Sequence, residues 1–421
     1  ILWEEPLSKA KPFSISKRVV FEAYKRVKAN KGAAGIDEES ISDFEINLND
    51  NLYKILNLMS SGNYFPPPVR AVDIGKKGGG QRRLGVPTVS DRIAQMVAKI
   101  YFEPEVEGYF HPDSYGYRPQ KSAIEAVGVA RKRCWRHQWV LDLDIKSFFD
   151  EIDHELLLRA VRKHTDCKWL LLYIERWLKA PVQLKDGTLV SRDKGSPQGS
   201  VISPLLANLF LHYAFDEWMR RNHRDIPFER YADDILVHCK SEGHAKWIKT
   251  VIERRLNHCR LELNAKKTKI VYCKGVSRKG NYPHEKFDFL GYTFRPRKAK
   301  NRNGEFFVGF LPAVSDHAAK SMRKTIRSWR IHRMTDKSIK DLACIINPVV
   351  KGWINYNGQY YKSALRPIFN QLNSSLQRWA MRKYKKLRRR KRRAFYWFGR
   401  IAKQRPSLFA HWQVTRQSAG R

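Results

Sequence analysis

The amino-acid sequence predicts an α+β protein, on three observations. Residues 228–238, FERYADDILVH, read as two short strands that meet at a tight turn carrying Asp233 and Asp234. Residues 139–150, WVLDLDIKSFFD, read as a central strand whose alternation sets Asp142 and Asp144 on one face. After about residue 310 the alternation yields to helical spacing, over residues 315–332, 337–355 and 363–387. Adjacent carboxylates repel, and two acids on one face of a buried strand are costly, so both clusters need compensation. A divalent cation would supply it, since Mg²⁺ takes oxygen ligands and binds through one or two carboxylates together with substrate phosphates. Asp is also common in turns, where it bonds its own backbone, and strand-end acids form salt bridges. On the residues alone both readings stand.

Composition narrows the partner. The chain has 421 residues, with 81 Lys and Arg against 41 Asp and Glu, a formal net charge of +40. That length allows about two to four domains and a substantial core. A neutral small-molecule enzyme has no use for such an excess of charge, which points to a polyanion. The basic residues interleave with Trp, Tyr and Phe, and no apolar run is long enough to span a bilayer, so nucleic acid is favoured over an anionic membrane. Six cysteines without a CxxC pair predict reduced thiols in a cytoplasmic protein and no structural zinc. No signal peptide is expected, and the residues show no internal repeat.

In chain order, residues 14–60 predict two helices around the loop KANKGAAGID. Residues 64–91 predict a β-hairpin, with strands at 69–74 and 82–86 around GKKGGGQ. Arg70, Lys76 and Arg82 alternate along it and either converge on a triphosphate or form a solvated basic surface. From His111 an aromatic turn bears Tyr115, Tyr117 and Arg118, which suit stacking on a single strand or core packing, and a basic helix follows to about residue 137. GSPQGS, residues 195–200, precedes a helix with Ser203 as its N-cap and Pro204 as its first residue, and delivers Gln198 at the helix entrance. A helix over 247–256 returns through LELNAKKTKIVYC to a strand. FDFLGYTFRPR then reads as a closing strand with a glycine bulge. Asp341 is the last acid, so the final 80 residues hold nineteen Lys or Arg and no countercharge. Eleven of them fall among the sixteen residues 378–393, where helical spacing would surround the axis with charge.

LDIKSFFD, SPQG and YADD, in that order, resemble the third, fourth and fifth sequence blocks of reverse transcriptases, more narrowly those encoded by group II introns. GAAGID is similar to that family's amino-terminal extension. GWINY, residues 352–356, resembles its thumb or maturase signature, and KQRPSLFAHWQ a carboxy-terminal element of the compact bacterial members. IGKK stands where relatives often have IPKP, which loosens the hairpin tip at Lys76. Together the matches cover about residues 14–413.

The resemblance implies a right-hand polymerase: an extension over 1–62, fingers and palm over 63–309, an all-α thumb or maturase domain over 310–380, and a basic nucleic-acid-binding segment over 381–421. It selects Asp144 over Asp142, because a bulky residue, here Phe149, follows the metal-binding acid by five positions and acts as a gate against the ribose 2′-hydroxyl. Asp144, Asp233 and Asp234 would bind two Mg²⁺ ions, with Mn²⁺ as a substitute, for in-line nucleotidyl transfer. Arg70, Lys76, Arg82, Gln198 and Lys267, the last from the sixth block, would attend the incoming dNTP. Tyr115, Arg118, Tyr231, Leu290 and Gly291 would contact the template and primer. Arg382, Lys383, Arg388, Arg389, Arg390, Arg392 and Arg393 would contact phosphates. The implied partners are group II intron RNA, an RNA template with a DNA primer, and target DNA. No HNH endonuclease domain is expected, so cleavage of the second DNA strand is not expected of this chain. A splicing cofactor with a relic site and a domesticated polymerase in phage defence are the alternatives, and the intact acids argue against the first.

Overall fold

The computed structural model describes residues 11–75, 81–276, 278, 280–300 and 303–415. Helices α1 (Lys17–Ala29), α2 (Ile41–Ile46) and α3 (Leu48–Ser61) lead into strands β1 (Val69–Gly75) and β2 (Gln81–Val86). Helices α4 (Val89–Glu107) and α5 (Ala123–Arg136) precede β3 (Trp139–Asp144), followed by α6 (Phe148–Glu151), α7 (His154–Arg162) and α8 (Lys168–Lys179). Then come β4 (Val182–Gln183), β5 (Leu189–Val190), α9 (Ser203–Leu211), a π-turn (His212–Asp216) and α10 (Glu217–Asn222). The hairpin β6 (Phe228–Tyr231) and β7 (Asp234–Cys239) is followed by α11 (Glu242–His258), β8 (Lys269–Tyr272), β9 (Phe287–Phe289), β10 (Tyr292–Lys300) and β11 (Phe306–Val314). The chain closes with α12 (Asp316–Ser328), α13 (Ile339–Asn357), α14 (Arg366–Lys383), α15 (Lys391–Gln404) and α16 (Trp412–Thr415). Three sheets result, of order β2-β1-β4-β5, β6-β7-β3-β8 and β11-β10-β9. The α+β expectation holds.

Two compact units divide the chain: Ile1–Ser122, Leu143–Val237 and Lys246–Thr268 make the first, and Ala123–Asp142, His238–Ala245 and Lys269–Arg421 the second. In the first, α1 buries Val20, Ala23, Tyr24 and Val27, a stripe at helical spacing, and packs on α4. Helix α4 is buried nearly all round, and Asp91 in its first turn is the polar centre it must satisfy. The Asp91 carboxylate accepts from Tyr64 Oη (2.9 Å), Trp177 Nε1 (2.7 Å) and Gln95 Nε2 (2.9 Å). Burial nonetheless pushes its pKa up to about 6 from 3.8. A carboxyl raised in the folded state contributes stability that is full below the unfolded value and lost as pH rises through the folded one. The stability difference between the native chain and Asp91→Asn is therefore expected to shrink between pH 4 and pH 7, by on the order of 3 kcal/mol at about 1.4 kcal/mol per unit. Urea unfolding at the two pH values measures it, and a pH-independent difference would contradict the assignment.

In the second unit, β10 and β11 pair from Tyr292↔Val314 to Lys300↔Phe306. β11 runs through residue 310, so the expected palm–thumb boundary at 309/310 falls inside a strand. The boundary at 380/381 likewise falls inside α14, and Phe398, Phe409, Trp412 and Val414 share one core with Leu342, Leu372 and Trp379. The charge run at 378–393 is not one helix either: α14 stops at Lys383, a 3₁₀ turn covers Lys385–Leu387, and α15 starts at Lys391. Asp341 closes a capping box with Ser338 at the start of α13, so the last acid of the chain serves a helix end. Among the described residues no helix is long and apolar enough to cross a membrane.

Candidate active site

All three expected acids lie in the first unit. β6 and β7 pair with Tyr231 opposite Asp234, which leaves Ala232 and Asp233 as a two-residue connection. Ala232 takes a left-handed φ of 56°, a conformation that an L residue adopts only when its surroundings enforce it. Part of that enforcement comes from Gly116, where an added Cβ would lie 2.4 Å from the Ala232 nitrogen. The segment around it straps the edge of β6, with Tyr115 N donating to Arg230 O (2.8 Å) and Arg230 N to Asp113 O (3.0 Å).

That strap accounts for two expected template contacts. Tyr115 is buried and donates its hydroxyl to Asp113 (3.1 Å). The side chain of Arg118 is only 7% exposed, with its guanidinium on Glu107 Oε1 (2.7 and 2.9 Å) and on the carbonyls of His111 (2.8 Å) and Ser114 (2.7 Å). Both side chains are engaged within the strap. Their neighbour Tyr117 is the exposed member, 6.1 Å from Tyr231 ring to ring. Burial, then the charges of Tyr231 and Asp233, raise its phenol pKa, which places it beside the acid turn.

Asp144 ends β3, where Leu141 and Leu143 are buried and Asp142 and Asp144 share the other face, as alternation predicts. The sixth-block residues gather on it: Asn264 N donates to Asp144 O (2.8 Å), Asp144 N to Thr268 Oγ1 (3.4 Å), and Lys267 Nζ lies 3.2 Å from Asp144 Oδ1. Phe148 and Phe149 follow in α6, both buried. The Phe149 carbonyl accepts from Ser196 N (2.7 Å) and the Ile152 carbonyl from Gly195 N (2.7 Å), so the SPQG loop is laced to the segment after Asp144.

The same loop reaches the hairpin. Gln198 O accepts from Gly85 N (2.8 Å), and Gln198 Oε1 accepts from Arg82 Nε. Gly199 has φ +120°, and a Cβ there would lie 2.8 Å from Gly85 O, so this approach requires glycine. The expected N-cap at Ser203 is displaced by one residue: Ser203 is the first helical residue, Ile202 is the cap, and Ser203 Oγ bonds Ser196 Oγ (2.7 Å). Arg70 and Arg82 share one face of the hairpin, since Arg70 pairs with Val86 and Arg82 with Ile74. Arg70 Nε is buried with no hydrogen-bond partner among the described residues. Lys76 lies outside the described residues.

Electrostatics tie these pieces together. Burial raises the Asp233 carboxyl above its ordinary value and the Asp144 charge adds to the rise, while Arg82 and Lys267 oppose it. Two acids and two cations from four segments thus share one field. Among the described residues no three His, Cys, Asp or Glu side chains close into a ligand shell. The donor set still fits a hard cation: the groups are carboxylates, the Lys267 ammonium already stands beside Asp144 as a positive charge, and Asp233 remains under-compensated. Mg²⁺ is accordingly expected to raise the melting temperature of Lys267→Met more than that of the native chain. Melting curves with and without Mg²⁺ check this; equal increments would separate Lys267 from the acid cluster.

Leu290 and Gly291 belong to the second unit, where both have positive φ (50° and 81°) in the two-residue turn between β9 and β10. Tyr356, from GWINY, donates its hydroxyl to Leu290 O (2.7 Å), so the maturase-like signature supports this turn. In the basic segment, Lys383 Nζ is held by the carbonyls of Thr335 and Lys337 (2.8 Å each), whereas Arg382, Arg388, Arg389, Arg390, Arg392 and Arg393 are exposed. Arg230, fully buried beneath the acid turn, is a residue the sequence reading passed over. Its signal was there: Glu and Arg stand side by side in an otherwise apolar and aromatic strand.

A small antiparallel sheet with acids at a turn and on a second strand, faced by a cationic hairpin and a glutamine loop, is the arrangement of a nucleotide polymerase. Residues 74–294 match the family described as reverse transcriptase (RNA-dependent DNA polymerase), and residues 319–397 the group II intron maturase-specific domain. Among curated proteins, the group II intron-encoded protein LtrA of Lactococcus lactis is 28% identical over 440 residues, covering 84% of this chain and 70% of that protein. Protein YkfC of Escherichia coli is 30% identical over 355 residues, covering 74% and 88%. A putative COX1/OXI3 intron 1 protein of Saccharomyces cerevisiae is 25% identical over 392 residues, covering 80% and 44%. The chain belongs to the reverse transcriptase family, in its group II intron branch with a maturase domain. Reverse transcriptases depend on divalent metal as a family.

Proposed function

We propose that this chain copies RNA into DNA from a DNA primer and also binds a group II intron RNA, to promote its splicing and its insertion into target DNA. The observation that carries the site is the shared field of Asp144, Asp233, Arg82 and Lys267, with Gln198 bonded to Arg82. Asp144, Asp233 and Asp234 would hold Mg²⁺, which supplies activation of the primer 3′-hydroxyl and neutralisation of the triphosphate. The chain's own groups do the positioning. Arg82 and Arg70 take triphosphate oxygens from one face of the hairpin, and Lys76 is assigned to the same phosphates by resemblance alone. Gln198 lies against the nucleotide, Phe149 limits room at its 2′ position, and Lys267 exchanges Asp144 for a phosphate. Tyr231 and the turn at Leu290 and Gly291 attend the primer, and Tyr117 offers a ring to the template. The exposed arginines from Arg382 to Arg393 contact phosphate backbone, so RNA binding weakens steeply with salt.

The test is extension of a DNA primer on an RNA template by the native chain in Mg²⁺ and dNTPs, against a chelator control. Full-length cDNA in Mg²⁺ alone is expected. No product from a folded chain that binds the intron RNA would replace this reading with that of a splicing cofactor.

A further inference from the structure

Arg230 and Asp216 are both completely buried, and a buried ion pair needs a reason beyond stability, since well-packed apolar residues commonly replace one without loss. The reason lies in how the guanidinium is used. Its Nε and one Nη2 hydrogen fork onto Asp216 (2.8 and 2.6 Å), and Nη2 also donates to Ser114 Oγ (2.7 Å). Nη1 donates to Asn208 Oδ1 (3.0 Å) and to the carbonyl of Ala232 (3.1 Å). All the N–H groups of an arginine are thereby spent, and the last of them lands on the left-handed residue that precedes Asp233. Asn208 closes the circuit by donating Nδ2 to Gly116 O (2.6 Å), beneath the same turn. Asp216 ends the π-turn His212–Asp216, a rare deviation that breaks the helical run just where the carboxylate must face Arg230.

We propose that Arg230 is a positioning residue for divalent-metal binding: by holding the Ala232 carbonyl against the Asp216, Asn208 and Ser114 side chains, it aims Asp233 and Asp234 at the metal. Touching neither substrate nor metal, it acts through the turn. The inference rests on the reading of Asp233 and Asp234 as metal ligands. Lysine cannot replace it, because a single ammonium head lacks the fork that reaches four elements at once.

The test pairs Arg230→Met with Asp216→Leu, which removes both charges together and orphans neither. Mn²⁺ binding is followed by electron paramagnetic resonance, alongside melting temperature and the Mg²⁺ dependence of primer extension. The double variant is expected to melt at or above the native temperature, while its Mn²⁺ dissociation constant and half-maximal Mg²⁺ concentration rise about tenfold or more, as for other residues that orient metal ligands. A merely structural role would lower the active fraction without moving either midpoint. Native Mn²⁺ affinity in a folded double variant overturns the proposal. Should that variant not fold, Asn208→Ala decides, since it cuts the link from Arg230 to Gly116 and leaves the ion pair: a smaller rise in the same direction supports the proposal and an unchanged midpoint overturns it. Asp233→Ala with Asp234→Ala is the reference. If it too keeps native Mn²⁺ affinity, the metal-site reading fails and takes the role of Arg230 with it. If it alone loses the ion, only the role of Arg230 fails.

Discussion

Asp233→Asn is expected to reduce primer extension by about a thousandfold or more while leaving the protein as stable as before, or slightly more so. The amide keeps the shape of the carboxyl, so the turn between Tyr231 and Asp234 has no steric reason to move. What changes is charge. Asp233 sits where burial and the Asp144 carboxylate both disfavour its ionised form, and Arg82 and Lys267 only partly offset them. A neutral side chain at that position relieves the folded, metal-free protein of an unfavourable charge. The same charge is what a metal-assisted transfer requires, and loss of several kcal/mol of transition-state stabilisation corresponds to roughly three powers of ten in rate. Single-turnover extension and thermal melting, measured on the same preparation, check the two halves. Lost activity together with a lower melting temperature would show Asp233 to be a fold-supporting acid, and retained activity would remove it from the site.

How far such a site can be read in advance depends on which interactions create it. The acid hairpin was legible because a period-two strand pattern and a two-residue turn are local: Phe228 to Tyr231 pair with Asp234 to Val237 across a two-residue connection. Asp142 and Asp144 were legible as a shared face for the same reason, but the choice between them came from resemblance, since Lys267 and Asn264 reach Asp144 from more than a hundred residues away. Arg118 shows the opposite case. Its sequence neighbours made it look like a template contact, and nothing local announced its bonds to Glu107 on the preceding helix and to carbonyls of the strap. The expected carboxy-terminal boundary at 380/381, placed by charge, falls within α14. Nineteen unopposed cations drew attention away from Phe398, Phe409, Trp412 and Val414, whose burial makes α15 and α16 part of the same core as α14. Arg230 was hidden because a cation in a strand has no local partner to announce it; Asp216 is fourteen residues back, across a π-turn that no sequence period predicts.

Gly199→Ala should act on the nucleotide, not on the metal. At φ +120° an L residue is strained wherever it is placed, and here the added methyl would also lie 2.8 Å from the Gly85 carbonyl, backbone against backbone. Neither side can yield cheaply. Gly85 is fixed from its other flank by Val69 and Pro197, each 3.1 Å from where its own Cβ would lie, and its N–H is committed to Gln198 O. The loop must therefore lift from β2, taking Gln198 Oε1 off Arg82 Nε. Strain of about 1–3 kcal/mol at such a position corresponds to roughly ten- to a hundredfold in binding. The expected result is a KM for dNTP raised by that factor, with the Mg²⁺ midpoint unchanged because the turn that carries Asp233 is held at Ala232 by Gly116 and Arg230. Steady-state extension across a dNTP series at several Mg²⁺ concentrations separates the two constants. Should the Mg²⁺ midpoint move and the KM stay, the loop would be supporting the acids and not the nucleotide, and the pairing of Gln198 with Arg82 would lose its assigned role.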